Sequence, residues 1–307
     1  MRSCTLLNCG MSMLNDSIPI SVSSDSSLCC AGQQLGQRNR PDHGQARTMW
    51  TGGIIGYGLR AAAIVGYTIA SSTWALLLPR RRASQRLLAA VPGWARTMLR
   101  LCGVHILVEG RQHLQQGGPF IYVCNHASLL DIPVLVAALP DRLCFLYKKG
   151  LEYIPFFGWV LRRLPYVPIT RHPLDAHRHI ELTIERFQQY GLSPVVFAEG
   201  GRSFDGTVRP FKRGVIVLGQ KLRRPLVPVA IAGTHALLPP KTLRFRPGTV
   251  RVRIGAPIEL PTTLNRQDQH RWLQSLREQI AEWLAEMSSQ TPSVPWIPAP
   301  LSNTLPN

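Results

Sequence analysis

Apolar and polar positions alternate along this chain in blocks. From Ala61 to Leu78 eighteen residues carry no charge, AAAIVGYTIASSTWALLL, and Gly52 to Leu59 is also largely apolar before Arg60 interrupts. A run of that length stands at the lower limit for a membrane-spanning helix. One arrangement is a single span whose cytoplasmic end is Arg80-Arg81-Arg82, as the positive-inside rule requires. Another is a helix or helix pair that dips into one leaflet with its arginines on lipid headgroups. A third is a buried soluble helix. Length and basic flank favour membrane attachment.

Beyond this region short apolar runs recur: Val104–Val108, Phe120–Cys124, Leu143–Tyr147, Pro194–Ala198, Leu226–Ile231 and Val250–Ile254. Their length and composition are those of strands. Helical patterns lie between several of them. Ile180, Ile184 and Phe187 share a helix face that Gly191 can end. Trp272, Leu276, Ile280, Trp283 and Met287 form an amphipathic stripe suited to core packing. Strands alternating with helices predict an α/β fold: a mainly parallel central sheet flanked by helices, preceded by an N-terminal membrane-associated helix or helix pair.

Four segments result. Residues 1–48 are rich in Ser, Cys and Gln without periodicity, which predicts disorder or a non-native extension. They make a poor signal peptide, because no apolar stretch follows Arg2. The change of composition just after Met49 marks that residue as an alternative start. Residues 49–100 form the anchoring helical segment, 101–290 the main domain, and 291–307 a Pro-rich disordered tail.

Charge narrows the choice of partner. Lys and Arg number 35 against 17 Asp and Glu, a formal net charge of +18. Residues 1–48 hold four arginines and three aspartates, so nearly all the excess belongs to the later segments. An anionic partner is expected: nucleic acid, an anionic membrane surface or small phosphorylated ligands. Nucleic acid is disfavoured, since zinc spacings, a basic helix with heptads and an aromatic RNA-binding signature are all missing. The seven cysteines show neither metal-site spacing nor a disulfide framework, so no metal is expected. Cys102, Cys124 and Cys144 lie in apolar runs and read as small core residues.

Two loops carry the chemistry. Asn125-His126-Ala127-Ser128-Leu129-Leu130-Asp131 directly follows an apolar run, where α/β folds place active sites. An imidazole held by a carboxylate is a general base for a hydroxyl proton. His126 and Asp131 are five residues apart, so they meet only if the segment turns and Asp131 starts a helix running through Leu135. The ordinary readings are a helix cap for Asp131 and a cap for Ser128; the second is adopted. The other loop, Glu199-Gly200-Gly201-Arg202-Ser203, offers a glycine-rich turn and an arginine for phosphate. Further cations stand at run ends: Lys148-Lys149, Arg171 after Pro168-Ile169-Thr170, and Lys212-Arg213 after Phe211. Clustered like charges repel unless an anion joins them.

These residues resemble, in order over about Val104 to Leu260, the four blocks of the glycerolipid acyltransferases typified by 1-acyl-sn-glycerol-3-phosphate acyltransferase. Asn125-His126-x4-Asp131 matches the first block. Val167-Pro168-Ile169-Thr170-Arg171 resembles the second, whose arginine contacts the acceptor phosphate. Phe197-Ala198-Glu199-Gly200-Gly201-Arg202-Ser203 resembles the third, with Gly201 where threonine is commoner. Leu226-Val227-Pro228-Val229 resembles the fourth. Lys148-Lys149 and Ile154-Pro155-Phe156-Phe157-Gly158 fit the stretch between the first two, with Gly150 where glutamate is frequent. Four ordered blocks are far more specific than one.

The resemblance implies transfer of a fatty acyl group from acyl-CoA or acyl-carrier protein to the 2-hydroxyl of lysophosphatidic acid, giving phosphatidic acid at a membrane. It implies His126 and Asp131 as the catalytic pair. Glu199, Gly200, Gly201, Arg202, Arg171 and Lys148 would bind substrate, with Arg202 and Arg171 clamping the phosphate and Glu199 positioning Arg202 or a glycerol hydroxyl. No cofactor is required beyond the acyl donor, and the site would face the cytoplasm. Competing readings are an acyltransferase for another lysophospholipid or lyso-aminolipid, and a non-catalytic basic protein that binds anionic lipid. A serine hydrolase is disfavoured, because no Gly-x-Ser-x-Gly elbow is present.

Overall fold

The computed structural model describes residues 43–289 apart from 116, 171, 173, 174, 204 and 243. The expected disordered ends therefore lie outside the described residues, except that 43–48 already form the start of a helix. That helix, α1 (His43–Leu77), and α2 (Arg80–Cys102) make an N-terminal helix pair separated at Pro79. Proline fixes its own φ and restricts the residue before it, so the charge-free run cannot continue as one helix. α1 takes in Ala61 to Leu77 but loses Leu78, and Thr68, Ser71, Ser72 and Thr73 dilute its apolarity. Among the described residues no helix is long and apolar enough to cross a membrane.

One face of α1 packs on the protein: Ile64, Ser72 and Ala75 are buried. Leu59, Val65, Ile69, Trp74 and Leu77 are exposed and fall within the opposite half of the helix circumference. α2 ends in a left-handed Gly103, whose backbone N–H satisfies the last carbonyls of the helix.

The main domain runs β1 (Val104–Glu109), β2 (Ile121–Cys124), α3 (Asp131–Ala138), β3 (Leu143–Lys148), α4 (Phe157–Leu161), β4 (Val167–Ile169), α5 (Ala176–Tyr190), β5 (Ser193–Phe197), α6 (Gly214–Leu222), β6 (Leu226–Ala232), α7 (Thr234–Leu237), β7 (Gly248–Ile254) and α8 (Arg266–Ser289). The seven strands form one sheet in the order β1-β7-β6-β2-β5-β3-β4. From β6 to β4 all pairings are parallel, whereas β7 runs antiparallel to β6 and carries β1 with it. The predicted α/β class holds, with six strands at the expected places and β4 in addition.

Strand alternation divides the core into two layers. Tyr122 and Cys124 of β2 join Val134 and Leu135 of α3 and Ala95, Met98 and Leu99 of α2 on one face. Ile121 and Val123 join Val215 and Ile216 of α6 and Leu276 and Ile280 of α8 on the other. The predicted stripe of α8 is thus core. Buried on both faces, β2 and β5 sit centrally, and their C-terminal ends open side by side. A sheet of this kind presents its site there.

Candidate active site

β2 ends at Cys124 and α3 starts at Asp131, so the intervening loop turns back on itself as the sequence required. His126 Nδ1 lies 2.8 Å from Asp131 Oδ2. The same oxygen accepts the backbone N–H groups of Ala127 at 2.8 Å and Ser128 at 2.9 Å. With two backbone N–H groups already aimed at it, that oxygen acts as an acceptor towards the ring, and this sets the proton of the neutral imidazole on Nδ1. Nε2 is then the basic nitrogen. Asp131 is fully buried, while the His126 side chain retains 13% exposure, so the pair joins a dry anchor to an accessible ring. Phe197 stacks on the imidazole at 3.9 Å and 18° between planes.

Backbone and side-chain bonds fasten this loop to its neighbours. Asn125 grips β6 twice, Nδ2 donating to Ile231 O at 3.0 Å and Oδ1 accepting Ile231 N–H at 2.8 Å. Ser203 N–H donates to His126 O at 2.8 Å, tying the two chemistry-bearing loops together. Ser128 Oγ accepts the Leu130 N–H at 3.3 Å at the entry to α3, whose N-cap residue is Leu130. Its hydroxyl also donates to Leu238 O at 2.8 Å, beyond α7. The expected cap is a brace as well.

Glu199 joins the two loops. Its Oε1 accepts the backbone N–H of His126 at 2.9 Å and its Oε2 that of Arg209 at 3.1 Å. With both oxygens engaged and the residue buried, Glu199 positions the histidine loop. Arg209 was missed in the sequence. Its guanidinium bonds Gly201 O and its Nε stands 3.5 Å from Glu199, so it holds the glycine turn in shape. The only signal was a cation eight residues past the turn, within a stretch already rich in them.

Gly200 adopts φ 72°, a left-handed conformation that turns the chain directly after β5. Arg202 follows, half-buried, with no hydrogen bond or ion pair among the described residues. Lys148 ends β3 and is exposed. β5 lies between it and β2, so its backbone stands roughly 10 Å from the histidine strand, at the spacing of two strands. Arg171 lies outside the described residues. Its neighbour Thr170 is held firmly: the backbone N–H donates to His179 Nε2 at 3.2 Å and the hydroxyl donates to Asp175. Burial lowers the pKa of His179, which keeps Nε2 free to accept. Burial raises the Cys124 thiol far above its usual range, and the nearby Asp131 carboxylate adds to this, so Cys124 is an inert packing residue. Among the described residues no group of three or more His, Cys, Asp or Glu is placed to hold a metal ion.

An imidazole poised by a buried carboxylate, beside a glycine turn and an arginine without a partner among the described residues, can chemically remove a hydroxyl proton. Residues 105–232 match the family model described as Acyltransferase. A 1-acyl-sn-glycerol-3-phosphate acyltransferase of Cocos nucifera is 32% identical over 165 residues, covering 53% of this chain and 53% of that protein. The enzyme of the same description from Saccharomyces cerevisiae is 30% identical over 190 residues, covering 61% and 62%. The crystal structure of the 1-acyl-sn-glycerophosphate (LPA) acyltransferase PlsC from Thermotoga maritima matches with a TM-score of 0.65 at 26% identity, covering 78% of this chain and 98% of that one. The chain spans about half the length of the first of these curated relatives. Residues 105–232 thus match an acyltransferase model within a fold similar to that of the Thermotoga maritima structure. Over this region the chain is similar to the 1-acyl-sn-glycerol-3-phosphate acyltransferases.

Proposed function

We propose that this protein transfers a fatty acyl group from a thioester donor, acyl-CoA or acyl-carrier protein, to the 2-hydroxyl of lysophosphatidic acid, forming phosphatidic acid. The reading rests above all on the 2.8 Å bond between His126 Nδ1 and Asp131 Oδ2. His126 Nε2 takes the hydroxyl proton as that oxygen attacks the thioester carbonyl. Asp131 holds the ring in the required tautomer and stabilises the imidazolium. Collapse of the tetrahedral species breaks the carbon–sulfur bond, and the imidazolium returns the proton to the departing thiolate. A thioester is already activated, so the chemistry calls for no metal. Arg202, with Arg171 and Lys148, meets the acceptor phosphate, because guanidinium groups match phosphate oxygens in charge and geometry.

An apolar cavity of about 230 Å³ supports a fatty chain. It is lined by Tyr67 and Ala75 of α1, Ala90 and Trp94 of α2, and Ile132 and Val136 of α3. Ile132 and Val136 belong to α3, the helix that Asp131 starts. The exposed apolar half of α1 supports a helix pair that lies in one leaflet, with the site at the cytoplasmic face of the membrane.

The test uses the purified full chain with labelled acyl-CoA or acyl-carrier protein and a panel of lyso-lipids. Wild type is expected to yield phosphatidic acid, and His126→Ala to yield none while melting normally. Transfer to a different lyso-lipid, or vesicle binding without transfer, overturns the assignment.

A further inference from the structure

The segment between β3 and α4 is built in an unusual way that the reaction above does not use. Phe156 has φ 61° and ψ −65°, and Phe157 N–H donates to Pro155 O at 2.7 Å. This is a γ-turn of the positive-φ kind, rare and strained for a residue with a side chain. Gly158 is forced by the same build, because a Cβ there would collide with the backbone oxygens of Glu152 and Leu151. The turn pushes a cluster of large apolar side chains outward. Tyr153 is 83% exposed, Ile154 46% and Trp159 42%, with Phe156 packed against Trp159 at 5.3 Å. On its inner side the same segment supplies Leu151, Phe157 and Leu161 to the apolar cavity.

From these observations we infer that Tyr153–Trp159 is a second membrane-contacting lobe, which docks on a bilayer with anionic headgroups alongside the outer face of α1. The inference rests on the reading that the acceptor is drawn from a membrane. Two features select a bilayer over other partners. First, the lobe is continuous with the exposed half of α1. Trp159 and Leu76 line one cleft, and Arg163 Nη1 donates to Ala75 O at 3.0 Å and Leu78 O at 3.2 Å, fixing the end of α4 to the end of α1. Second, exposed cations flank it, Lys148 and Lys149 before and Arg162 after. The one acidic residue between them, Glu152, accepts the Tyr147 hydroxyl at 2.9 Å. Tyrosine and tryptophan above an apolar body, ringed by lysine and arginine, suit the boundary between headgroups and acyl chains.

Vesicle partitioning of the full chain, without acyl donor or acceptor, separates this inference from the proposed reaction. With vesicles of phosphatidylcholine and phosphatidylglycerol, Y153S/I154S is expected to lower the partition coefficient about tenfold, the size suggested by apolar surface no longer leaving water. Leu59→Ser, on the outer face of α1, serves as the parallel perturbation. Should the double variant melt early, quenching by brominated lipid decides: wild type is expected to show a quenched component that Trp159→Phe lacks. Partitioning within about twofold of wild type at normal melting, or identical quenching of wild type and Trp159→Phe, overturns the inference. So does concentration-dependent self-association that Y153S/I154S abolishes while vesicle binding is unchanged.

Discussion

Asparagine at position 131 would isolate charge from shape. Asp131 Oδ2 takes three N–H groups, whereas Oδ1 is buried without a partner. An amide can therefore put its carbonyl where Oδ2 stands and its NH2 where nothing bonds, leaving every donor an acceptor. The loss is the negative charge opposite the imidazolium formed in the transition state. For a pair at hydrogen-bond distance in a partly buried site, that charge is worth about 2–4 kcal/mol. At about 1.36 kcal/mol per decade, Asp131→Asn is expected to cut turnover roughly 30- to 1,000-fold. The unpaired buried NH2 costs about 1–2 kcal/mol, a shift of only a few degrees in melting temperature. Asp131→Ala instead strands three donors at about 1–3 kcal/mol for each one buried, so it should melt far earlier. Phosphatidic acid formation at saturating donor and acceptor, with melting curves in parallel, gives both numbers. If Asp131→Asn turns over within about threefold of wild type, the carboxylate is a scaffold for the loop and not a partner in proton transfer.

Other parts of the molecule make separate predictions. Because burial lowers the His179 pKa below its ordinary 6.5, the unfolded chain binds the extra proton first, and stability falls as pH drops below that value. Protonation also removes the acceptor for Thr170 N–H, with Asp175 opposing and Arg178 aiding loss of the proton, so KM for lysophosphatidic acid should rise on the acid side. Acceptor titrations across pH check this, and His179→Gln, which keeps an acceptor without titrating, should flatten that limb. Ala90→Leu narrows the cavity and should shift preference toward shorter acyl donors; an unchanged ranking of kcat/KM across a chain-length series counts against chain binding there.

What could be foreseen divides by sequence distance. Six strands, α5 and α8 announce themselves because each is a local pattern, and Gly191 does stop α5 in a left-handed turn. The histidine–aspartate contact is equally local, closing over five residues. β4 escaped because three residues interrupted by Pro168 carry too little alternation to read as a strand. The direction of β7 escaped because side-chain alternation does not depend on strand polarity. The braces escaped for a different reason. Asn125 reaches Ile231, Ser128 reaches Leu238, and Arg163 reaches Ala75, each across a separation set by the sheet order and not by any motif.

The charge-free run of α1 shows why a local pattern can also mislead. Counting apolar residues measures the whole circumference of a helix, but the energetics depend on what each face meets. Ile64 at 6% and Ala75 at 3% exposure are committed to the protein core, whereas Leu59 at 69% and Leu77 at 79% are not. A helix spanning a bilayer alone needs apolar side chains all round for about 20 residues. A helix lying at the surface needs them on one face only, and can spend the other on packing. Eighteen uncharged residues satisfy both descriptions in sequence. Burial separates them: Ile64, with Ala61 and Tyr67 partly buried beside it, joins the core that carries Val134 and Leu135 of α3, and Ala75 packs with Ala83 and Leu87 of α2, so this face of α1 is occupied by protein.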